Sequence, residues 1–257
     1  MENIRVITVA SGKGGTGKTT TTANLGIALA ELNRKTIILD ADIAMANLAL
    51  ILGMKDVDVT LHDVLSGEKD IKEAMYKGAN DVTIVPCGIS LAGFQKSHPE
   101  KLQEALMKLF EEAEFLLIDA PAGLGKDGII PMAIADEILL VLNPEISSVS
   151  DGLKIKLMAE TIETSIRGII LNRVREEGDG IDKSKIEKIF GTTVVAEIPE
   201  DTSVRDSVAK RKPVIIANPN AEAAIAYKKL AADLVGEKFE YKEEGIVKRF
   251  ISSIFGR

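Results

Sequence analysis

Ser11-Gly12-Lys13-Gly14-Gly15-Thr16-Gly17-Lys18-Thr19-Thr20 limits what this chain can fold into more than any other stretch. The apolar run before it, Ile4 to Ala10, has the character of a buried parallel strand. After it, Leu25, Ala28, Leu29 and Leu32 recur at the spacing of one helical face. Between a strand and a helix, Gly12-x-x-x-x-Gly17-Lys18-Thr19 has the spacing of a P-loop. Glycines reach backbone angles that side chains forbid, so several N–H groups can converge on one anion. The helix that follows turns its positive end to the same anion. Lys18 adds a mobile charge for β- and γ-phosphates, and the Thr19 hydroxyl is a hard oxygen ligand for Mg²⁺.

The same letters fit a dinucleotide fingerprint, Gly12-x-Gly14-x-x-Gly17, with Asp40 where a ribose-binding acid sits. That reading leaves Lys18-Thr19 at the helix start without a task. A plain glycine turn does not account for the flanking strand and helix. Lys13 stands apart, because an ordinary P-loop needs no lysine in its first turn. It is either a solvated side chain or a charge meant for a phosphate that its own loop cannot reach.

Apolar runs alternate with helical patterns along the 257 residues, enough for one α/β domain with a large core. Thr36–Leu39 ends at Asp40, Val82–Val85 at Pro86, and Phe115–Ile118 at Asp119. Ile138–Leu142 ends at Asn143, Ile166–Leu171 at Asn172, and Val194–Ile198 at Pro199. Amphipathic segments such as Lys101–Glu112 and Gly152–Thr164 lie between them. The expected fold is α/β of the P-loop NTPase kind, a mostly parallel twisted sheet with helices on both faces. Polar residues gather just after the strands, where such sheets bind ligands.

Composition narrows the function. Aromatics make up 4% with no Trp, which argues against a stacking platform for single-stranded nucleic acid. A net charge of −7 opposes broad binding to DNA or anionic lipid unless basic residues are gathered locally. The lone Cys87 excludes an internal disulfide and fits a reducing compartment. Met1 runs straight into the first strand, so no signal peptide is expected, and no apolar stretch approaches a membrane span.

Asp40-Ala41-Asp42 places two carboxylates after the second strand. Beside a triphosphate they suit Mg²⁺ organisation and the orientation of an attacking water; otherwise Asp42 would cap a helix over Met45–Leu52. Asp119 closes an apolar run in a Walker B arrangement and would reach Mg²⁺, and Ala120-Pro121-Ala122-Gly123-Leu124-Gly125 has the small residues of a switch loop. No Asn-Lys-x-Asp string for guanine occurs. Cys87 reads as a buried thiol, His62 and His98 as helix-start neighbours, and Lys210-Arg211-Lys212 as a solvated basic cluster.

The string Lys13-Gly14-Gly15-x-Gly17-Lys18-Thr19-Thr20 resembles the deviant Walker A box of the MinD/ParA ATPases. The resemblance extends over Asp40-Ala41-Asp42-Ile43, Asn47–Leu50, Asp119–Gly123 and Asn143–Asp151, and is strongest to the MinD branch. It implies ATP and Mg²⁺ as cofactors and an ATP-dependent homodimer with nucleotides at the interface. Lys13, Lys18 and Asp42 would be catalytic. Gly12, Lys13, Gly14, Gly15, Thr16, Gly17, Lys18, Thr19 and Thr20 would bind the phosphates, with Thr19, Asp40 and Asp119 at the metal. Asn172, Pro199 and Asp201 would lie at the adenine. Lys13 would contact the partner's phosphates, after pairing with Asp151 before dimerisation. Ala46 stands where bacterial members carry arginine, which bears on partner contacts around that loop.

Residues 1–236 are expected to form the ATPase domain and 237–244 a charged linker. In 245–257, Ile246, Val247, Phe250, Ile251, Ile254 and Phe255 share one helical side, opposite Lys248, Arg249, Ser252 and Ser253. That segment reads as an amphipathic anchor for an anionic membrane. The expectation is a slow, switch-like ATPase that hydrolyses ATP and positions cell division or another cargo. It would be cytoplasmic and peripheral on the inner face of the cell membrane, with a regulatory protein at the dimer interface. The alternatives are a ParA-like DNA-partitioning ATPase and a P-loop biosynthetic ligase.

Overall fold

The computed structural model describes residues 4–175 and 180–239. Eight strands form one sheet: β1 Arg5–Ala10, β2 Thr36–Asp40, β3 Tyr76–Lys77, β4 Thr83–Val85, β5 Phe115–Asp119, β6 Glu137–Leu142, β7 Ser165–Val174 and β8 Val194–Pro199. Their order is β3-β4-β2-β5-β1-β6-β7-β8. Every pairing is parallel except the antiparallel β3–β4. The helices are α1 Lys18–Glu31, α2 Leu48–Ile51, α3 Leu61–Ser66, α4 Leu91–Lys96, α5 Leu102–Met107, α6 Lys126–Ile134, α7 Ile146–Thr161, α8 Lys183–Phe190, α9 Thr202–Ala209, α10 Val214–Ala217 and α11 Glu222–Val235.

Alternation along β1 sends Ile7 and Val9 to one face and Val6 and Ala10 to the other. The first face is covered by α1, α2, α10 and α11, with Leu25, Leu29, Tyr227 and Leu230 fully or nearly fully buried. The second is covered by α3 and α5 on one flank and by α7 and α8 on the other. The sheet is therefore buried on both sides, and its strands are near-continuous apolar runs. All seven long apolar runs became strands, and the helix after the glycine-rich loop formed as expected.

Two helical expectations shift. The amphipathic stretch 101–112 is helical only over α5, after a 3-10 turn at Pro99–Lys101. The chain then turns so that the Glu114 and Phe115 amides donate to the Lys35 carbonyl, leading into β5. The stretch expected from 152 begins earlier, at Ile146. The terminal segment 245–257 lies outside the described residues. Glu237, assigned to the linker, is tied to the body: Arg34 Nη2 donates to its Oε1 at 2.7 Å, and its own amide donates to the Ala232 carbonyl.

Candidate nucleotide site

The loop leaves β1 at its C-terminal end and enters α1 through Gly17, at φ 97°, a left-handed conformation that glycine adopts without strain. No side chain caps α1 and no acid lies in its first turn, so its leading N–H groups remain free for an anion. Behind the loop the packing is tight. A Cβ on Gly12 would stand 2.3 Å from the backbone carbonyl of Asp151 on α7. In front it is open: Cβ atoms on Gly14 or Gly15 would meet nothing within 4 Å. The result is a cradle closed by α7 and open on the side where a phosphate chain would lie.

Lys18 is buried, and burial lowers its pKa, opposed by Asp119 and then by Asp42. The three groups therefore share one polar pocket. Asp119 ends β5 and is pushed up to about 6, by burial first, against the hydrogen bond from Thr19 and the charge of Lys18. The Thr22 hydroxyl donates to Asp119 Oδ1 at 3.3 Å. Asp40 lies opposite Asp119 in the β2–β5 register. It is held well above the usual carboxylate range by burial and then by the neighbouring Asp119. Its Oδ1 accepts from the Asp42 amide and its Oδ2 from the Leu48 amide, each at 3.1 Å.

These bonds reassign the capping role. It is Asp40 that reaches the first amide of α2, while Asp42 Oδ1 accepts from the Met45 amide at 2.9 Å and closes a turn. No helix runs over Met45–Leu52; only Leu48–Ile51 is helical. Among the described residues no group of three metal-ligating side chains occurs. The available donors, the Thr19 hydroxyl and the Asp119 carboxylate with Asp40 behind it, are hard oxygens. They fit Mg²⁺, which leans on phosphate and water for most of its shell.

Next to the loop lies a cavity of about 410 Å³ lined by Gly17, Thr20, Asn172, Pro199 and Asp201. The three residues assigned to a base thus meet beside the phosphate cradle. Asn172 Nδ2 also donates to the Thr16 carbonyl at 2.7 Å, bracing the loop. Asp201 is partly committed elsewhere, since its Oδ1 accepts from the Ser203 amide and caps α9. Arg173 and Arg205 line the same cavity and were not read as site residues. Arg173 follows Asn172 directly, and that adjacency was the only available signal.

Lys13 turns away from its own loop. Its Nζ donates to the Ser147 hydroxyl at 2.9 Å and lies 3.5 Å from Glu145 Oε2, at the start of α7. The expected pairing with Asp151 is not the one formed. Asp151 pairs with Lys154 at 2.7 Å, and its backbone is pressed against Gly12, so its side chain sits a turn too far along α7. Of the remaining candidates, Cys87 is buried with its thiol pushed well up by desolvation, and Lys210, Arg211 and Lys212 are exposed.

Loop, acids and cavity together define a P-loop nucleotide-binding protein. Residues 7–214 match the CobQ/CobB/MinD/ParA nucleotide binding domain. An uncharacterized ATP-binding protein of Methanocaldococcus jannaschii is 46% identical over 98% of this chain and 97% of its own length. The septum site-determining protein MinD of Pyrococcus horikoshii, solved with Mg-ADP, superposes with a TM-score of 0.87 at 38% identity, covering 90% of this chain and 96% of that one. MinD in the MinC:MinD cell division complex of Aquifex aeolicus gives 0.81 at 30% identity, over 94% of this chain and all of that one (100%). The chain belongs to the CobQ/CobB/MinD/ParA family of nucleotide-binding proteins, as an ATPase of the MinD/ParA type.

Proposed function

We propose that this chain is an ATP-dependent dimerising ATPase that binds the membrane reversibly and acts as a spatial regulator of cell division or protein positioning. The observation that carries the dimer is Lys13. Its own loop is served by the buried Lys18, while Lys13 rests on the rim with about a third of its side chain exposed. A lysine so placed is free to swing to a phosphate in a second copy. Exposed apolar side chains flank the loop, with Met45 at 71% and Ile146 at 80%. Surface of that kind on the nucleotide side is suited to being covered by a partner.

In this reading Lys18 and the α1 amides hold the β- and γ-phosphates. Asp42 orients a water whose oxygen bonds to the γ-phosphorus as the bond to the bridging oxygen breaks, leaving ADP with the electron pair. Both of the water's protons leave with the phosphate, as H₂PO₄⁻. Mg²⁺, held by Thr19 with Asp119 and Asp40 behind it, would offset phosphate charge. Lys13 of the partner copy would stabilise the charge developing at the γ-phosphate. Asn172, Pro199 and Asp201 would line the base site.

Residues 1–236 would be the ATPase domain and 245–257 the anchor. No helix among the described residues is long and apolar enough to cross a membrane. The anchor, at thirteen residues too short for a membrane span, would lie on an anionic surface, on the inner face of the cell membrane, with Lys248, Arg249 and Arg257 each contributing ~1 kcal/mol near headgroups. Two tails on one dimer bind with added avidity, so ATP controls residence. A regulatory protein at the dimer face is part of the same reading. Sedimentation with anionic liposomes tests it. The full chain should pellet with ATP and stay in solution with ADP, and truncation after Glu244 should abolish pelleting. Equal sedimentation in all nucleotide states, or retention by the truncated chain, would contradict it.

A further inference from the structure

Asp42 lies in a stretch, residues 41–47, that has no helix or strand of its own. A cavity of about 740 Å³ opens beside the Asp42–Asn47 loop, with Ala46, Asn47 and Leu50 in one wall, and leaves open space along that flank. Bonds inside the loop, such as that from the Met45 amide to Asp42 Oδ1 at 2.9 Å, fix the side chain to the loop but not the loop to the site. Its ends are tied to the sheet. The Ala41 amide donates to the Asp119 carbonyl at 2.9 Å, and Asp40 accepts from the Asp42 and Leu48 amides. Between those ends the loop is held at the Ile43 carbonyl, to which His62 Nε2 donates at 3.0 Å. A carbonyl can only accept, so Nε2 carries the proton.

His62 is the second residue of α3 and is 3% exposed. Its backbone is anchored firmly. The Leu61 and His62 amides donate to the carbonyls of Pro86 and Cys87, just past β4, and Thr60 and Asp63 form a capping box. The ring is seated in one orientation, because a Cβ on Gly93 would stand 2.7 Å from Nδ1 and one on Gly88 3.2 Å from it. Nδ1 is buried there without a partner. For packing alone an apolar side chain of the same size would serve better, since a buried acceptor left unpaired is destabilising. What the imidazole adds is the Nε2 donor, aimed at the residue after Asp42.

We propose that His62 is a positioning residue for ATP hydrolysis: by holding the Ile43 carbonyl it sets where Asp42 presents its carboxylate to the attacking water. The inference rests on the role given to Asp42 above. His62 acts through the backbone and not on the substrate. With the Asp42 amide on Asp40 and the Ile43 carbonyl on His62, the chain is pinned on both sides of the Asp42 side chain. Without the second pin it can relax toward the open cavity. Nucleotide affinity should not follow, because the phosphate cradle is braced by α7 and β7 and not by this loop.

Three variants of the full chain, His62→Leu, His62→Asn and His62→Gln, test this through ATP turnover and ATP affinity with Mg²⁺. Gln places its amide nitrogen about where Nε2 stands and Asn about where Nδ1 stands, so only Gln can restore the bond. His62→Leu and His62→Asn should lose about ten- to a hundredfold in kcat, as misplacing a reacting group by about 1 Å does, with ATP affinity kept within about twofold. His62→Gln should recover most of the rate. Adding His62→Leu to Asp42→Ala should slow turnover no further, since one acts through the other. If Leu does not fold, the contrast between Asn and Gln carries the same test.

A His62→Leu chain at the parent rate, beside an impaired Asp42→Ala, overturns the inference and leaves the role of Asp42 standing. So does a His62→Gln chain as slow as His62→Asn, an affinity loss as large as the rate loss, or a double variant slower than Asp42→Ala alone. An Asp42→Ala chain at the parent rate removes the role of Asp42 and this inference with it.

Discussion

Lys18 is a buried cation facing Asp119 and Asp42 in a loop whose amides are free, so its charge is already desolvated before any phosphate arrives. Lys18→Ala should cost on the order of 2–3 kcal/mol or more in nucleotide affinity, seen by titration calorimetry, and abolish turnover. Normal affinity in that variant would exclude the loop as the site. The acids make a different prediction. Asp119 titrates at about 6 when folded against 3.8 in its ordinary state, so between those values the folded chain binds more protons than the unfolded one. Stability of the Mg²⁺-free, nucleotide-free protein should therefore fall as pH rises through that window, with the penalty complete above it. Asp119→Asn should raise the melting temperature of that apo form by a few degrees at neutral pH and flatten the pH dependence; an unchanged or lower value would contradict the burial account. The residue types of this site were legible because phosphate chemistry restricts them. The partners were not: nothing in the sequence distinguishes Glu145 and Ser147 from Asp151 as the contacts of Lys13, since all three fall within two turns of one helix.

Between elements, the loop is held by what touches it from behind. Gly12 lies against the Asp151 backbone and Asn172 against Thr16, so α7 and β7 set the position of the phosphate cradle. Gly12→Ala puts a methyl where only rigid backbone could give way. It should destabilise the fold by about 1–3 kcal/mol in urea unfolding and weaken ATP binding with it. A stable variant with native affinity would mean that this packing is dispensable. The strands were readable because burial on both faces leaves continuous apolar runs. The short β3 was not, because two residues carry no period. The helical pattern over 101–112 was overridden by the return into β5, where backbone bonds to Lys35 outweigh the last helical turn.

The whole molecule presents a polar cradle, a rim lysine turned outward and the exposed side chains of Met45 and Ile146, the combination from which a second copy is proposed. Sequence pattern gave the order of strands and helices. It carried no information on the cavity beside Asp42–Asn47, whose walls come from segments far apart in the chain. The central claim is that ATP joins two chains through Lys13, and light scattering of the hydrolysis-defective Asp42→Ala variant tests it most directly. That variant should bind ATP, turn it over poorly and show twice the monomer mass with ATP and Mg²⁺ but the monomer mass with ADP. Adding Lys13→Ala should return it to monomer while substantial ATP binding persists. A double variant that still dimerises with ATP, or a single one that never does, would contradict the account.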